Sequence, residues 1–139
     1  MSKHVAVILG GWSAEREVSL SSGRECAKAL REKGYQVTEI DATRDLANQI
    51  AAIDPKPDVI FNALHGRWGE DGAVQGLLEI LNIPYTHSGV RASAIAMDKM
   101  SAKAMFAEYE IPCARHVWVS RGDIANGKAL PPPYVLKPN

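Results

Sequence analysis

Three short segments of this chain carry residues whose types and spacing could do chemistry: Gly10-Gly11-Trp12-Ser13-Ala14-Glu15-Arg16-Glu17-Val18-Ser19, His65-Gly66-Arg67-Trp68-Gly69-Glu70-Asp71-Gly72, and Met97-Asp98-Lys99. In the first, the glycine pair lets the backbone turn tightly and approach a ligand closely. Glu15 could bind an ammonium group or take its proton. In the second, His65 could donate to a carboxylate or phosphate. Lys99 and Lys137 each sit at a structural transition, where an ammonium could neutralise phosphate oxygens. Each feature also has a plainer reading. Gly10-Gly11 can be a turn without a ligand, and Glu15 a helix-start acid favoured by the macrodipole. His65 can simply tie down its loop, and most lysines are solvated. For Glu70 and Asp71, capping a helix that begins at Gly72 is the favoured role.

Several familiar sites are excluded. The first glycine segment lacks the third glycine of a dinucleotide fingerprint and is not a Walker loop. His4, His87 and His116 share no ligand spacing and are treated as non-metal residues. Trp12, Trp68 and Trp118 are spread over two loops and an expected strand, which is no stacking platform for nucleic acid. Cys26 and Cys113 lack metal-type spacing and read as reduced packing residues.

The elements that must position these residues follow from the hydrophobic pattern. Val5–Leu9 is a continuous apolar run ended by Gly-Gly, which suits a strand buried on both faces of a parallel sheet. Leu20, Gly23, Ala27 and Leu30 recur at helical spacing, with Ser13 a possible cap and Gly34 the stop. Tyr35–Ile40 alternates as a strand, Leu46, Ile50 and Ile53 mark a second helix, and Asp54-Pro55-Lys56-Pro57 breaks it. Asp58–Leu64 is the next strand, Val74, Leu77, Leu78 and Leu81 define a third helix, and Ile83–Thr86 starts a fourth strand. This alternation predicts an α/β fold with a doubly wound parallel sheet and right-handed crossovers. The first two motifs then lie where strands hand over to helices, the ligand-binding edge of such sheets.

The pattern changes after Thr86. Helices are expected over Val90–Ala96 and from about Lys99 to Tyr109, the latter capped by Asp98, with a domain boundary near Met97. Pro112–Val119 and Pro133–Lys137 read as strands separated by a polar loop containing Gly122, Asn126 and Gly127. The stop just after the last of these suggests a piece of a longer protein.

Bulk properties set the remaining bounds. In 139 residues, 46% are hydrophobic and 23% charged, and 16 basic residues balance 16 acidic ones. That composition fits a globular domain and gives no electrostatic case for nucleic acid. The apolar run Val5–Leu9 is too short for a signal-peptide core or a membrane span, so the cytoplasm is the expected location.

Taken in order, the Gly10–Ser19 segment, His65–Gly72 with Gln75-Gly76, Pro84-Tyr85-Thr86-His87-Ser88-Gly89 and Met97-Asp98-Lys99 resemble the bacterial D-alanine:D-alanine ligases of the ATP-grasp superfamily. The resemblance implies a Rossmann-like substrate domain (the pre-ATP-grasp domain) over residues 1–97, followed by the start of an ATP-grasp domain over 98–139. It implies an enzyme that uses ATP and magnesium to phosphorylate one D-alanine, whose acylphosphate is attacked by the amine of a second, for peptidoglycan synthesis. Glu15 then matches the acid that orients the first D-alanine's ammonium, Val18 lies in the same pocket, and His65 sits near that substrate's carboxylate. Lys99 and Lys137 match lysines on the ATP phosphates. The magnesium ligands and the lid over ATP would lie beyond Asn139, so the chain alone is expected to be inactive. A homodimer is implied as well. His87 stands where many relatives have glycine, and Asn139 where a small residue is common. Two alternatives remain, another ATP-grasp carboxylate-amine ligase and a non-catalytic small-molecule binding or assembly domain.

Overall fold

A computed structural model describes residues 2–128 and 130–137. Asn139, where the sequence departs from the resemblance, lies outside them, as does Pro138. The chain divides into two compact units, Met1–Met97 and Asp98–Asn139.

In the first unit, β1 (His4–Gly10) is buried along its whole length. It pairs in parallel with β2 (Gln36–Ala42) on one side and β3 (Val59–Asn62) on the other, giving the order β2-β1-β3. Between them run α1 (Arg16–Glu32) and α2 (Leu46–Ala51), and α3 (Ala73–Ile80) follows β3. A strand with neighbours on both edges and helices on both faces has no solvated side, which is why Val5–Leu9 is uninterruptedly apolar.

Alternation along β1 divides the core. Val5, Val7 and Leu9 pack with Leu20 and Ala27 of α1, whereas Ala6 and Ile8 pack with Leu46 and Ile50 of α2 and Val74 and Leu78 of α3. The sheet is therefore parallel and covered by helices on both faces, the α/β architecture expected from the sequence.

At the end of β1, Gly10 and Gly11 take φ values of 74° and 76°, a region that glycine enters without the Cβ clash other residues suffer. The chain thereby leaves the sheet edge sharply before α1. Ser13 does not cap that helix. Its hydroxyl accepts the Glu15 backbone N–H at 3.1 Å and donates to the His65 carbonyl at 2.8 Å. That bonding closes a turn ahead of the helix, so α1 starts at Arg16 and Glu15 occupies the cap position instead of the first turn.

The fourth strand shrinks to one parallel bridge between Ile60 and Tyr85. The segment around it is anchored by Ile60 donating to the Pro84 carbonyl at 2.8 Å and Thr86 to the Ile60 carbonyl at 3.1 Å. Pro84 itself has no N–H to extend the ladder. Beyond it, α4 (Val90–Met97) completes the first unit.

The second unit holds α5 (Lys99–Glu108), capped as expected by Asp98, whose carboxylate accepts the Ser101 N–H at 2.6 Å. The expected strands at Pro112–Val119 and Pro133–Lys137 do not form among the described residues. A strand exists only through its ladder partners, and here Val117, Trp118, Val135 and Leu136 are all exposed. Within the segment expected as a polar loop lies a short helix, α6 (Arg121–Ala125), closed by a reciprocal Ser120–Asp123 capping box. Cys26 and Cys113 are free thiols, but Cys113 is exposed and packs no core. No helix among the described residues is long and apolar enough to cross a membrane.

Leu78 is fully buried and Ile80, two residues on, is 84% exposed. Leu78→Ala is expected to cost about 2–5 kcal/mol and Ile80→Ala less than about 0.5 kcal/mol, as read by urea unfolding.

Candidate functional site

In a parallel sheet of order β2-β1-β3, the connections leaving β1 and β3 depart in opposite directions at the same edge, and the crevice between them is where such sheets bind ligands. The loops there are Gly10–Glu15 and Ala63–Gly72, the first two motifs read from the sequence.

The second loop is organised by its own side chains. Glu70 Oε2 accepts the Gly66 N–H at 2.6 Å, and Asp71 accepts the N–H groups of Trp68 at 3.0 Å and Ala73 at 3.1 Å. Of the helix-capping role favoured for the two acids, only the Asp71–Ala73 bond reaches the helix start, whereas Glu70 ties down the loop backbone upstream of it and α3 has no side-chain cap at Gly72. The bonds from Gly66 and Trp68 hold these two residues at φ values of 69° and 76°. Below the loop, the amides of Asn62 and Gln75 both donate to the Gly69 carbonyl at 2.8 Å. His87 Nδ1 lies 3.3 Å from the Asn62 amide nitrogen and 3.2 Å from that of Gln75. A carbonyl can only accept, so both amides present NH2 there, and His87 Nδ1 is the acceptor for their second hydrogens.

The first loop is tied to it by the Ser13–His65 bond and by Ser19, whose hydroxyl donates to the Ala63 carbonyl at 2.7 Å. It is also pinned from β2. The Arg16 guanidinium grips Asp41 through two bonds of 2.7 and 2.6 Å and donates to the Gly11 carbonyl at 2.9 Å. The hydrogen bond from Arg16 holds the Asp41 carboxyl below the ordinary carboxylate value.

The result is a convergence of Glu15, His65 and Glu70, with one ligand atom from each within 4.8 Å of the others. His65 Nε2 sits 3.0 Å from the Ser22 hydroxyl of α1, which fixes the ring. Glu15 is exposed and lies over Gly66, where an added Cβ would stand 3.2 Å from Glu15 Oε2. The half-open cleft bounded by Gly10, Gly11, Ser13, Leu64, His65 and Gly69 holds only about 10 Å³, space for about one water. A larger ligand therefore reaches Glu15 from its solvent side. Val18, on the first turn of α1, is 57% exposed and offers an apolar surface to such a ligand.

Two carboxylates beside an imidazole suit a primary ammonium. They do not suit magnesium, which takes oxygen ligands in octahedral array, since one donor here is nitrogen and one Glu70 oxygen is engaged with the Gly66 N–H. Lys99, the first residue of α5, and Lys137 are both exposed and belong to the second unit. The structure thus brings together Glu15 and His65 of the expected residues and adds Glu70 to them. The Arg16–Asp41 clamp and the Asn62–Gln75–His87 network were not read from the sequence. Asn62, a lone amide at the end of an apolar strand, was the available signal.

Fold and site together define an α/β domain that presents a mixed carboxylate and imidazole cluster at the switch point of a parallel sheet. The family described as "D-ala D-ala ligase N-terminus" matches residues 47–88. A D-alanine–D-alanine ligase of Parvibaculum lavamentivorans is 66% identical over 137 residues, covering 99% of this chain and 44% of the relative. One of Azorhizobium caulinodans is 60% identical over 139 residues, covering 100% of this chain and 45% of the relative. Among solved structures, the Bacillus anthracis D-alanine–D-alanine ligase complexed with ATP superposes with a TM-score of 0.68 at 35% identity, over 79% of this chain and 36% of that one. The Aeromonas hydrophila enzyme gives 0.75 at 25% identity, over 87% and 52%. The chain is thus a homologue, along its whole length, of the N-terminal portion of the D-alanine–D-alanine ligases, and it spans less than half the length of these curated relatives.

Two predictions follow from the loop geometry. Gly66→Ala places a side chain at positive φ against Glu15 and is expected to cost about 1–2 kcal/mol, measured by urea unfolding. Because the Asp41 carboxyl is lowered on folding, its contribution is complete above the unfolded carboxyl value, near about 3.9, and is lost as pH falls through the folded value. Both partners are substantially exposed, so Asp41→Asn is expected to lower stability at neutral pH by no more than about 1 kcal/mol. The variant should also flatten the acid limb of the stability curve, as followed by thermal melts between pH 7 and 2.5.

Proposed function

We propose that this chain is the first-substrate part of a D-alanine–D-alanine ligase, with residues 1–97 as the substrate domain and 98–139 as the beginning of the ATP-grasp domain. The convergence of Glu15 and His65 at one sheet edge carries this reading. An amino acid needs a carboxylate for its ammonium and a donor for its carboxylate, and Glu15 and His65 supply one each. Val18 offers an apolar contact for the methyl group, whose position distinguishes the two enantiomers.

Catalysis in this account is largely positioning. ATP with magnesium supplies the phosphoryl group that turns the first D-alanine's carboxylate into an acylphosphate, and the amine of the second D-alanine displaces phosphate to form the dipeptide. Glu15 orients the ammonium away from the reacting carboxylate, and His65 fixes that carboxylate, which converts a chance encounter into a held geometry. Lys99 and Lys137 contribute cationic charge to the ATP phosphates, where negative charge must be stabilised during transfer. Residues that hold magnesium would lie in the part of the relatives' length that this chain does not span. Peptidoglycan precursor synthesis in the cytoplasm is the corresponding role, and a homodimer the corresponding assembly.

In the complete enzyme, Glu15→Gln removes the charge that pairs with the ammonium and is expected to raise the D-alanine requirement of the first site by about tenfold or more. The KM for ATP and the thermal melt should stay unchanged, and steady-state kinetics with each substrate varied in turn checks this. Unaltered D-alanine dependence would contradict the role given to Glu15. The 139-residue chain by itself is expected to show no D-alanine-dependent ATP hydrolysis, measured by phosphate release.

A further inference from the structure

On the face of the sheet covered by α2 and α3 there is a second cavity, of about 190 Å³, lined among others by Trp12, Arg44, Ala47, Trp68, Val74 and Leu77. An enclosed apolar cavity of about 150 Å³ accepts a benzene ring; this one is open to solvent on one side and has room for a single ring with a small substituent.

Its walls are chemically specific. The Trp12 and Trp68 rings stand 6.1 Å apart, centroid to centroid, and are tilted by 40°. The Arg44 guanidinium carbon lies 5.6 Å from the Trp12 centroid, and that of Arg67 4.7 Å from the Trp68 centroid. None of the ion pairs among the described residues involves Arg44, and its side chain is exposed, so its charge is open to an anion. The Trp12 indole nitrogen is buried without a hydrogen-bond partner. Trp68 is held at positive φ by the bond from its N–H to Asp71, a conformation that costs energy for a bulky residue and persists only where its surroundings impose it.

We propose that this cavity binds a small aromatic carboxylate of one ring, seated over Val74 and Leu77 against the Trp12 and Trp68 rings, which touch each other, with its carboxylate paired to Arg44. Aromatic walls contribute through stacking and edge contacts, while the guanidinium selects an anion through charge-assisted hydrogen bonds. Trp12 and Trp68 also line the small cleft beside Gly11 and His65, so an occupant touches a wall shared with the loops that carry Glu15 and His65. The inference stands on the cavity alone and does not depend on the ligase reading.

The test is a titration of the 15N-labelled full chain with benzoate, following the indole N–H resonances of its three tryptophans. The expected result is a saturable shift of the Trp12 and Trp68 resonances with none at Trp118, which is not among the lining residues. Benzyl alcohol, of similar size but neutral, should bind at least about tenfold more weakly, as should benzoate to Arg44→Gln. Ala47→Phe, introduced from an exposed position of α2, should abolish the shifts. Absence of a saturable shift would overturn the proposal. So would equal binding of the alcohol and the acid, or undiminished benzoate binding in Arg44→Gln with the remaining spectrum unchanged.

Discussion

Everything at the ligand edge depends on β1 being paired in parallel on both sides. With β2 on one edge and β3 on the other, α1 and α2 must leave and return on opposite faces. The segments following β1 and β3 are then the two that open away from each other at the same end of the sheet. Residues 50 positions apart in sequence, such as Glu15 and His65, become neighbours because Val5–Leu9 can be buried only in the middle of such a sheet. The apolar run and the polar cluster are two consequences of one packing requirement.

That pairing brings the loops together without fixing their shape. The shape comes from hydrogen bonds that satisfy backbone groups at buried or turning positions, where an unmet donor or acceptor is costly. Glu70 and Asp71 supply acceptors to Gly66, Trp68 and Ala73, while Asn62 and Gln75 supply donors to Gly69. The plain role of the two acids and the functional role of the loop are therefore not in competition. Glu70 holds the backbone with one oxygen and remains near Glu15 and His65. On the other loop, Arg16 joins β2, the Gly11 carbonyl and the start of α1, which sets the direction from which Glu15 emerges.

The parts of the fold set by hydrophobic period were legible in the sequence. Val5–Leu9, the Leu20–Ala27 face and the Val74–Leu78 face each announce their burial by spacing alone, and Asp98 announced its helix by cap chemistry. What escaped was decided by partners distant in the chain. Ser13 looks like a cap, but the His65 carbonyl engages its hydroxyl from another loop. Pro112–Val119 ends in the β-favouring residues Val117-Trp118-Val119, yet such residues make a strand only when a neighbouring edge exists to pair with them. The Ser120–Asp123 capping box is present in the residues, but Gly122 within it and Asn126-Gly127 after it carry the signature of a loop. Within the site, Glu15 and His65 could be singled out by type and position. The Arg16–Asp41 clamp could not, because nothing in a linear reading joins a residue of α1 to one on the neighbouring strand.

The central claim is that Glu15 and His65 grip opposite ends of one amino acid. A crystal structure of the complete enzyme with D-alanine bound tests it most directly. The account predicts the D-alanine ammonium within hydrogen-bond distance of the Glu15 carboxylate, its carboxylate on the His65 side of the crevice and its methyl group toward Val18. D-alanine bound with its ammonium away from Glu15, or at a site that touches neither loop, would contradict it.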